Sequence, residues 1–270
     1  MKATWRLSPK ERNKIPLLYR QGKTICTLAK TFKVTDQAIY GILCRRNEPI
    51  RTLSQSKQRY KCNFNFFHKI NSEPRAYWLG FIAADGCISI RKTSQAVLVL
   101  MLAIKDVGHI REFKAAIEAT HPILNYRQNG HWASRICITS DKMINDLKRL
   151  DFTSRKRQRC IFPKIPHRLL NHFMRGYFDG DGSIGSGRNP MFRVVGYPRF
   201  IRKYQQHLRQ ACNLRRTKWA WRFGTPAIVY VGRKQMVKIQ QFLYHGATIF
   251  LARKYQIFQE ITLSIFARPC

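Results

Sequence analysis

Two aspartates occupy equivalent places in a repeated segment of the sequence. The first copy reads YWLGFIAADGCI over residues 77–88, and the second reads FMRGYFDGDGSI over residues 173–184. Asp85 and Asp181 close the apolar stretch of each copy, with a separation of 181 − 85 = 96 residues. Each copy is predicted to be an apolar helix that ends at its aspartate. Carboxylates at the negative ends of two adjacent helices repel each other unless a cation lies between them, so this pattern favours a divalent metal.

Small residues recur four positions apart on both of these helices, as Gly80 with Ala84 and as Gly176 with Gly180. Residues at this spacing lie on one face of a helix and allow two backbones to approach closely. We therefore predict that the two helices pack against each other and bring the two aspartates together. A glycine follows each aspartate, which predicts a left-handed turn at each helix end.

The repeat continues beyond the two segments. Further helices are predicted over residues 106–119 and 198–211, around Met143, Ile144 and Leu147, and around Met236, Ile239 and Leu243. Strands are predicted over residues 87–91, 96–104, 123–127, 132–139, 191–195, 218–223 and 227–231. Each half therefore predicts the order helix, two strands, helix, two strands, helix, which is an α+β fold.

Three short helices are predicted before the repeat. Ser8 and Glu11 form a capping box with a proline between them at the first helical position, and Gly22 ends this helix. Thr24 opens the second helix and Thr35 opens the third. A small all-α domain is expected over residues 1–48.

This three-helix pattern resembles a helix-turn-helix DNA-binding module. The resemblance implies that the third helix enters the major groove and that flanking arginines reach phosphates, through Thr35, Gln37, Tyr40, Arg45 and Arg46. Lys33 stands in the turn where such modules usually have glycine. A three-helix bundle that contacts another protein is the alternative.

The charge balance favours a polyanionic partner. Among 270 residues, 50 Lys and Arg face 14 Asp and Glu, for a formal net charge of +36. The eight cysteines are spread singly, which argues against a zinc site and for a reducing compartment. No apolar stretch is long enough for a membrane span, so we expect no membrane partner. A cytoplasmic location, nucleoid-associated in a bacterium or phage, or an organellar one is expected rather than secretion.

With its paired motif, the region from residue 74 to about 260 resembles the single-chain LAGLIDADG homing endonucleases. The resemblance implies two αββαββα halves related by a pseudo-twofold axis, whose antiparallel sheets form a saddle over double-stranded DNA. It implies metal-dependent cleavage of both strands of a long, non-palindromic site by a monomer. Domain boundaries expected on this basis are a linker over 49–72, a first half over 73–165 and a second half over 166–264.

The same resemblance assigns roles to individual residues. Asp85 and Asp181 would bind Mg²⁺ at the scissile phosphates as catalytic acids. Lys156 and Lys254 would follow the last helix of each half, at comparable distances of 156 − 85 = 71 and 254 − 181 = 73 residues from the acids. A lysine there could activate water or stabilise charge on phosphate, and the alternative is an ordinary phosphate contact. Asp179 would be structural or phosphate-orienting.

Alternating side chains in the predicted strands suggest a DNA-contacting surface. Lys218 and Arg222 alternate with Trp219, Trp221 and Phe223, which predicts basic residues on one face and aromatic residues against the core. The same reasoning selects three more candidates for groove contacts: Asn125, Arg127 and Arg135. A solvated strand face is the alternative for each of them.

Other functions fit part of the pattern. A non-cleaving DNA-binding regulator, or a maturase that binds intron RNA, would share the fold and the basic charge. Such proteins are expected to lose the motif acids, and both acids are present here, which favours a nuclease.

Overall fold

The structure is a computed structural model that describes residues 7–51, 60–89, 96–152, 161–222 and 224–266. The chain forms two compact units, Met1–Arg59 and Tyr60–Cys270. No helix in the described ranges combines the length and the hydropathy that crossing a membrane requires.

The first unit contains three helices: α1 (Pro9–Arg20), α2 (Ile25–Phe32) and α3 (Asp36–Arg45). Each begins at the capping residue that the sequence indicates, because the side chains of Ser8, Thr24 and Thr35 accept hydrogen bonds from backbone amides of the first turn. The helices enclose a separate apolar core that includes Ile15, Leu28, Ile39 and Leu43. The three predicted helices are confirmed.

The turn between α2 and α3 is made by a lysine in a left-handed conformation. Lys33 has φ of 52°, in the region that favours glycine. Its backbone N–H is directed at the carbonyls of Ala29 and Lys30, as at other left-handed helix ends. The sequence lacks glycine here, but the turn forms nonetheless.

The second unit repeats one order of elements. Its first half comprises α4 (Glu73–Asp85), β1 (Gly86–Ser89), β2 (Val97–Ala103), α5 (Val107–Ala116), β3 (Ile123–Gln128), β4 (His131–Thr139) and α6 (Asp141–Arg149). Its second half comprises α7 (Leu170–Asp181), β5 (Gly182–Gly185), β6 (Met191–Val195), α8 (Pro198–Cys212), β7 (Ala220–Arg222), β8 (Thr225–Val231) and α9 (Arg233–Tyr244), followed by α10 (Ala252–Phe266). The predicted α+β fold and helix–strand order are confirmed, and β5 is an additional strand.

The two halves have sheets of identical topology. Both are four-stranded and antiparallel, with strand orders β1-β2-β4-β3 and β5-β6-β8-β7. On one face, here called the helix side, alternate residues are buried against the helices: Leu98, Leu100, Ile136 and Ile138 in the first sheet, and Phe192, Val194, Ile228 and Tyr230 in the second. The opposite, open face carries exposed residues such as Met101, Arg135, Met191 and Val231. This alternation is the period-2 pattern of sheets covered on one side.

Part of the segment predicted as a linker packs onto the second unit. Phe66 and Phe67 are buried in its core, and the amide of Asn63 donates to the carbonyl of Ile117 at 2.8 Å. The two phenylalanines anchor residues 60–71 because leaving them in water would expose a large apolar area.

Candidate active site

Helices α4 and α7 are in backbone contact, and glycine makes that contact possible. A Cβ atom at Gly80 would lie 2.0 Å from the carbonyl oxygen of Phe173, and one at Gly176 would lie 2.0 Å from that of Tyr77. The two contacts are reciprocal, as expected for two helices related by a pseudo-twofold axis. The close packing predicted from the four-residue spacing is confirmed.

The glycines after the two aspartates have a different role from the one predicted. Gly86 has φ of −69° and Gly182 has φ of −96°, so both are extended rather than left-handed. The chain passes directly from helix to strand, and a Cβ there would lie 2.6 Å from the carbonyl oxygen of Ile82 or 2.4 Å from that of Phe178. The left-handed turn is therefore wrong, and glycine is needed for space instead.

Asp85 and Asp181 end the two packed helices and lie near each other. A Cβ at Gly180 would be 2.3 Å from the Cβ of Ala84 and 3.0 Å from Oδ2 of Asp85, which places the Asp85 carboxylate beside the residue that precedes Asp181. Both carboxylates also act on the ammonium group of Lys254, whose charged form they favour. The structure thus brings three of the predicted catalytic residues together, on α4, α7 and α10.

Lys254 is buried and its ammonium group caps the end of α7. Nζ donates to the carbonyl oxygens of Phe178 and Asp179 at 2.7 Å each and of Gly182 at 2.6 Å. These bonds use all three ammonium hydrogens. Burial lowers the pKa of Lys254 to about 8, against the opposing effect of nearby carboxylates. Lys254 lies in the first turn of α10. This helix follows α9, which is the last helix that the sequence predicts for the second half.

Asp179 connects α7 to α4 and to the start of α10. Its Oδ2 accepts from the hydroxyl of Tyr77 at 2.7 Å and from the amide of Leu251 at 2.9 Å. The Tyr77 hydroxyl also lies 2.8 Å from Nε2 of His109. Burial raises the pKa of Asp179 despite these bonds and the nearby Lys254. Asp179 therefore holds the segment that carries Lys254, in line with a structural role.

A buried ion pair joins the start of α4 to the middle of α7. Arg175 on α7 is fully buried and donates to Oε1 of Glu73 on α4 at 2.6 Å. It also donates to the carbonyls of Leu243 and Ile249 at 2.7 and 2.9 Å. Glu73 accepts from the amide of Thr248 at 2.7 Å. These shared contacts compensate for removing both charges from water.

The other predicted residues that the structure describes are not part of this cluster. Lys156 lies outside the described residues. In the first unit, the Thr35 side chain accepts from the amide of Ala38, the Arg46 guanidinium donates to Asn13, and Gln37, Tyr40 and Arg45 are exposed.

The candidate groove residues divide between the two faces of the sheets. Arg135 pairs with Met101 on the open face of the first sheet. Asn125 and Arg127 pair with Ser134 and Trp132, which places them on the helix side. They are exposed there, and Oδ1 of Asn125 accepts from the Ser134 hydroxyl at 2.8 Å.

In the second sheet, the predicted strand 218–223 is shorter. Lys218 and Trp219 precede β7, Arg222 pairs with Thr225 at its end, and Phe223 lies outside the described residues. Trp221 is 62% exposed, so the prediction that it packs against the core is wrong. β7 is an edge strand of three residues, and the core ends before it covers this indole.

Sequence reasoning missed Glu73, Arg175 and Tyr77 as members of this framework. A signal was present for Arg175, since it is the single basic residue in the repeated segment 173–184 and would need a partner if buried there. The sequence does not single out Glu73 as that partner, because the two residues meet only through the packing of α4 against α7. Tyr77 carried no comparable signal. Among the described residues, no group of three or more histidine, cysteine, aspartate or glutamate side chains is placed to hold a metal ion.

The structure is similar to solved LAGLIDADG meganucleases. With I-SmaMI bound to uncleaveable DNA the TM-score is 0.54 at 14% identity, over 72% of this chain and 92% of the other. With I-CpaMI bound to uncleaved DNA it is 0.52 at 13% identity, over 73% and 93%. With I-AabMI bound to uncleaved DNA it is 0.51 at 14% identity, over 71% and 89%. No protein-family profile and no curated protein matches the sequence.

The chain therefore has the LAGLIDADG meganuclease fold. It is the single-chain form of that fold, with both motif helices and both sheets in one polypeptide.

Proposed function

We propose that this protein is a metal-dependent DNA endonuclease of the homing type, which hydrolyses both strands of a long, non-palindromic duplex site. The observation that carries the proposal is the meeting of Asp85 and Asp181 at the adjacent ends of two helices in backbone contact. The solved structures with this fold support it, because they are meganucleases bound to DNA.

The donor set at this site suits a hard divalent cation. Asp85 and Asp181 offer carboxylate oxygens, which Mg²⁺ and Mn²⁺ prefer, and both acids lie at the negative ends of helix dipoles. Mg²⁺ commonly binds one or two carboxylates and completes its shell with water and substrate phosphate, so two acids are sufficient. When bound, the metal would lower the pKa of water and offset the charge of the leaving oxygen.

The residues of the chain supply position and charge. Asp85 and Asp181 would hold the cation against the scissile phosphates. Lys254 fixes the end of α7 and places a positive charge beside both acids, where it would offset negative charge developing on phosphate. We keep Lys156 as its expected counterpart in the first half.

The open faces of the two sheets form the proposed DNA surface. Arg135 and Arg222 lie at register positions on these faces, and the charge of +36 would supply salt-dependent phosphate contacts. The two faces carry different side chains, which implies a target without twofold symmetry and a monomeric enzyme. A duplex that lies on the open faces would reach three other candidates only where it extends past the edges of the sheets: Asn125, Arg127 and Lys218.

The first unit would add contacts on one flank of the site. Its third helix exposes Gln37, Tyr40 and Arg45 on the side away from Ile39 and Leu43. That division is the one expected of a helix that enters the major groove.

The test is cleavage of a library of duplex DNA by the full chain, with and without Mg²⁺. The Asp85→Asn and Asp181→Asn variants should lose cleavage but keep DNA affinity, because each removes a metal-binding charge and little volume. Asp141→Asn is the matched control, since Asp141 is exposed at the start of α6.

Wild-type cutting by either motif variant would contradict the metal assignment. A folded wild-type chain that binds DNA and cuts no member of the library would instead favour a regulator or an intron RNA maturase. Gel filtration that shows an obligate dimer would contradict the monomer.

A further inference from the structure

A pocket lies beside the edge strand of the second sheet. Its volume is about 480 Å³, within the range of small-ligand sites. Six residues line it: Arg202, Arg216, Thr217, Lys218, Trp219 and Trp221.

The pocket is on the helix side of the sheet. Trp221 pairs with Pro226, and Pro226 shares its side of β8 with the buried residues Ile228 and Tyr230. Arg202, which also lines the pocket, belongs to α8. The pocket therefore faces away from the open face that we propose for duplex DNA.

One aromatic wall of the pocket is held in place by a buried glutamine. Gln205 on α8 is buried, and its Oε1 accepts from Nε1 of Trp219 at 3.1 Å. Its Nε2 donates to the carbonyl and hydroxyl oxygens of Thr217 at 3.0 and 3.2 Å. Because these bonds already fix the Trp219 indole, little ordering would be needed when a ligand binds.

The second aromatic wall is Trp221, which is largely open to solvent. Because 62% of Trp221 is exposed at an edge strand, its ring is accessible to a ligand. Trp219 is two residues away in sequence, and both indoles line the pocket.

The charge of the pocket is uniformly positive. Its three charged side chains are Arg202, Arg216 and Lys218, and the Arg202 guanidinium lies 5.9 Å from the centroid of the Trp219 ring. After Asp181, the sequence contains a single acidic residue, Glu260 on α10. Indole faces beside cations are the recognition elements for a nucleobase and its phosphate.

We propose that this pocket binds an unpaired nucleotide of a single-stranded polynucleotide, with the base on the indoles and the phosphate on the cations. A base inside a duplex could not reach the indoles, because its faces are already stacked. The site is separate from cleavage, since it uses neither motif acid and lies beside β7, at the edge of the sheet opposite to β5, the strand that follows Asp181. The strand could be RNA or DNA, which offer the same base and phosphate chemistry.

The experiment measures binding of the full chain to fluorescently labelled oligo(U) and oligo(dT) of about 12 nucleotides, without divalent metal. Anisotropy gives each Kd, and an abasic oligonucleotide of equal length reports phosphate contacts alone. Trp221→Ala should weaken binding of at least one base-containing strand by about fivefold or more, and leave the abasic strand unchanged. Trp221→Phe should restore most of the affinity, because phenylalanine also stacks.

Trp132→Ala is the matched control. Trp132 is 56% exposed on the helix side of the first sheet, so its loss tests whether any exposed indole has the same effect. The Trp132→Ala variant should bind single strands with the affinity of the wild type.

A second measurement tests whether the pocket is separate from the duplex surface. The wild-type chain, already saturated with duplex DNA, should still bind the labelled strand.

Tighter binding of oligo(U) than of oligo(dT) would support the proposal and identify RNA as the source, and the reverse order would support it and identify single-stranded DNA. Equal affinity of the wild type for abasic and base-containing strands would overturn it, as would unchanged binding by Trp221→Ala or full displacement by duplex. The Asp85→Asn, Asp181→Asn double variant should bind single strands normally, so failure of the cleavage proposal would leave this result intact.

Discussion

Lys254 shows how one side chain can serve both the architecture and the charge of the candidate site. Its three hydrogens go to carbonyls at the end of α7, and its charge lies beside Asp85 and Asp181. A buried ammonium is stable only when hydrogen bonds and nearby negative groups replace its water. The residue therefore links the position of Asp181 to the electrostatics of both acids.

Replacing Lys254 by methionine should destabilise the protein. The change keeps the apolar stem but leaves the carbonyls of Phe178, Asp179 and Gly182 without their donor, which should cost about 2–4 kcal/mol. Urea unfolding followed by circular dichroism gives the difference in free energy of unfolding. Lys238→Met is the control, because Lys238 is exposed on α9 and should change little. If both variants unfold at the same urea concentration, the hydrogen bonds from Lys254 to α7 contribute nothing to the free energy of unfolding.

At the scale of elements, the crossing of α4 and α7 determines where the two acids lie. Gly80 and Gly176 each leave no space for a side chain against the backbone of the other helix. The Glu73–Arg175 pair adds a second contact between the same two helices, from the start of α4 to the middle of α7. Two helices fixed by both contacts can keep their ends, and hence the two carboxylates, at a constant separation.

Gly80→Ala and Gly176→Ala should each destabilise the chain, because the added methyl would lie 2.0 Å from a carbonyl oxygen and force the helices apart. Overpacking of this kind costs about 1–3 kcal/mol, and more where backbone must move. The measurement is the melting temperature together with the cleavage rate, since separating the helix ends should also lower activity.

Gly108→Ala provides the matched control. Gly108 is exposed in the first turn of α5 with no atom within 4 Å of an added Cβ, so alanine should stabilise that helix by at most about 1 kcal/mol. Stabilisation by alanine at Gly80 or Gly176 as well would contradict the close crossing.

The elements were predictable from sequence where local patterns determine them. The motif helices follow from a repeated apolar run, and α1 from its capping box, which are local signals. The partners of Lys254 were not predictable, because residues 178, 179 and 182 come into reach only through the fold. The exposure of Trp221 was missed for a related reason, since alternation predicts which side of a strand a residue faces but not whether a core covers it.

At the scale of the whole molecule, the charge of +36 lies on a chain with two compact units. Phosphate contacts from so many cations would make affinity for any duplex strongly dependent on salt. Sequence selectivity would then have to come from base contacts, on the open faces and on α3. The number of base pairs contacted should therefore depend on whether the first unit is present.

Removal of residues 1–59 tests this division. The second unit has its own core, so the truncated chain should fold and retain metal-dependent cleavage, while its footprint on the target should shorten on one flank only. Arg45→Ala with Arg46→Ala in the full chain is the matched comparison, because it removes two exposed cations and leaves the core of the first unit intact. That variant should weaken binding to long duplexes and lower the salt slope by about two, as expected for two lost phosphate contacts. A footprint of unchanged length after the truncation would rule out flank contacts and favour the alternative that the three helices contact a protein.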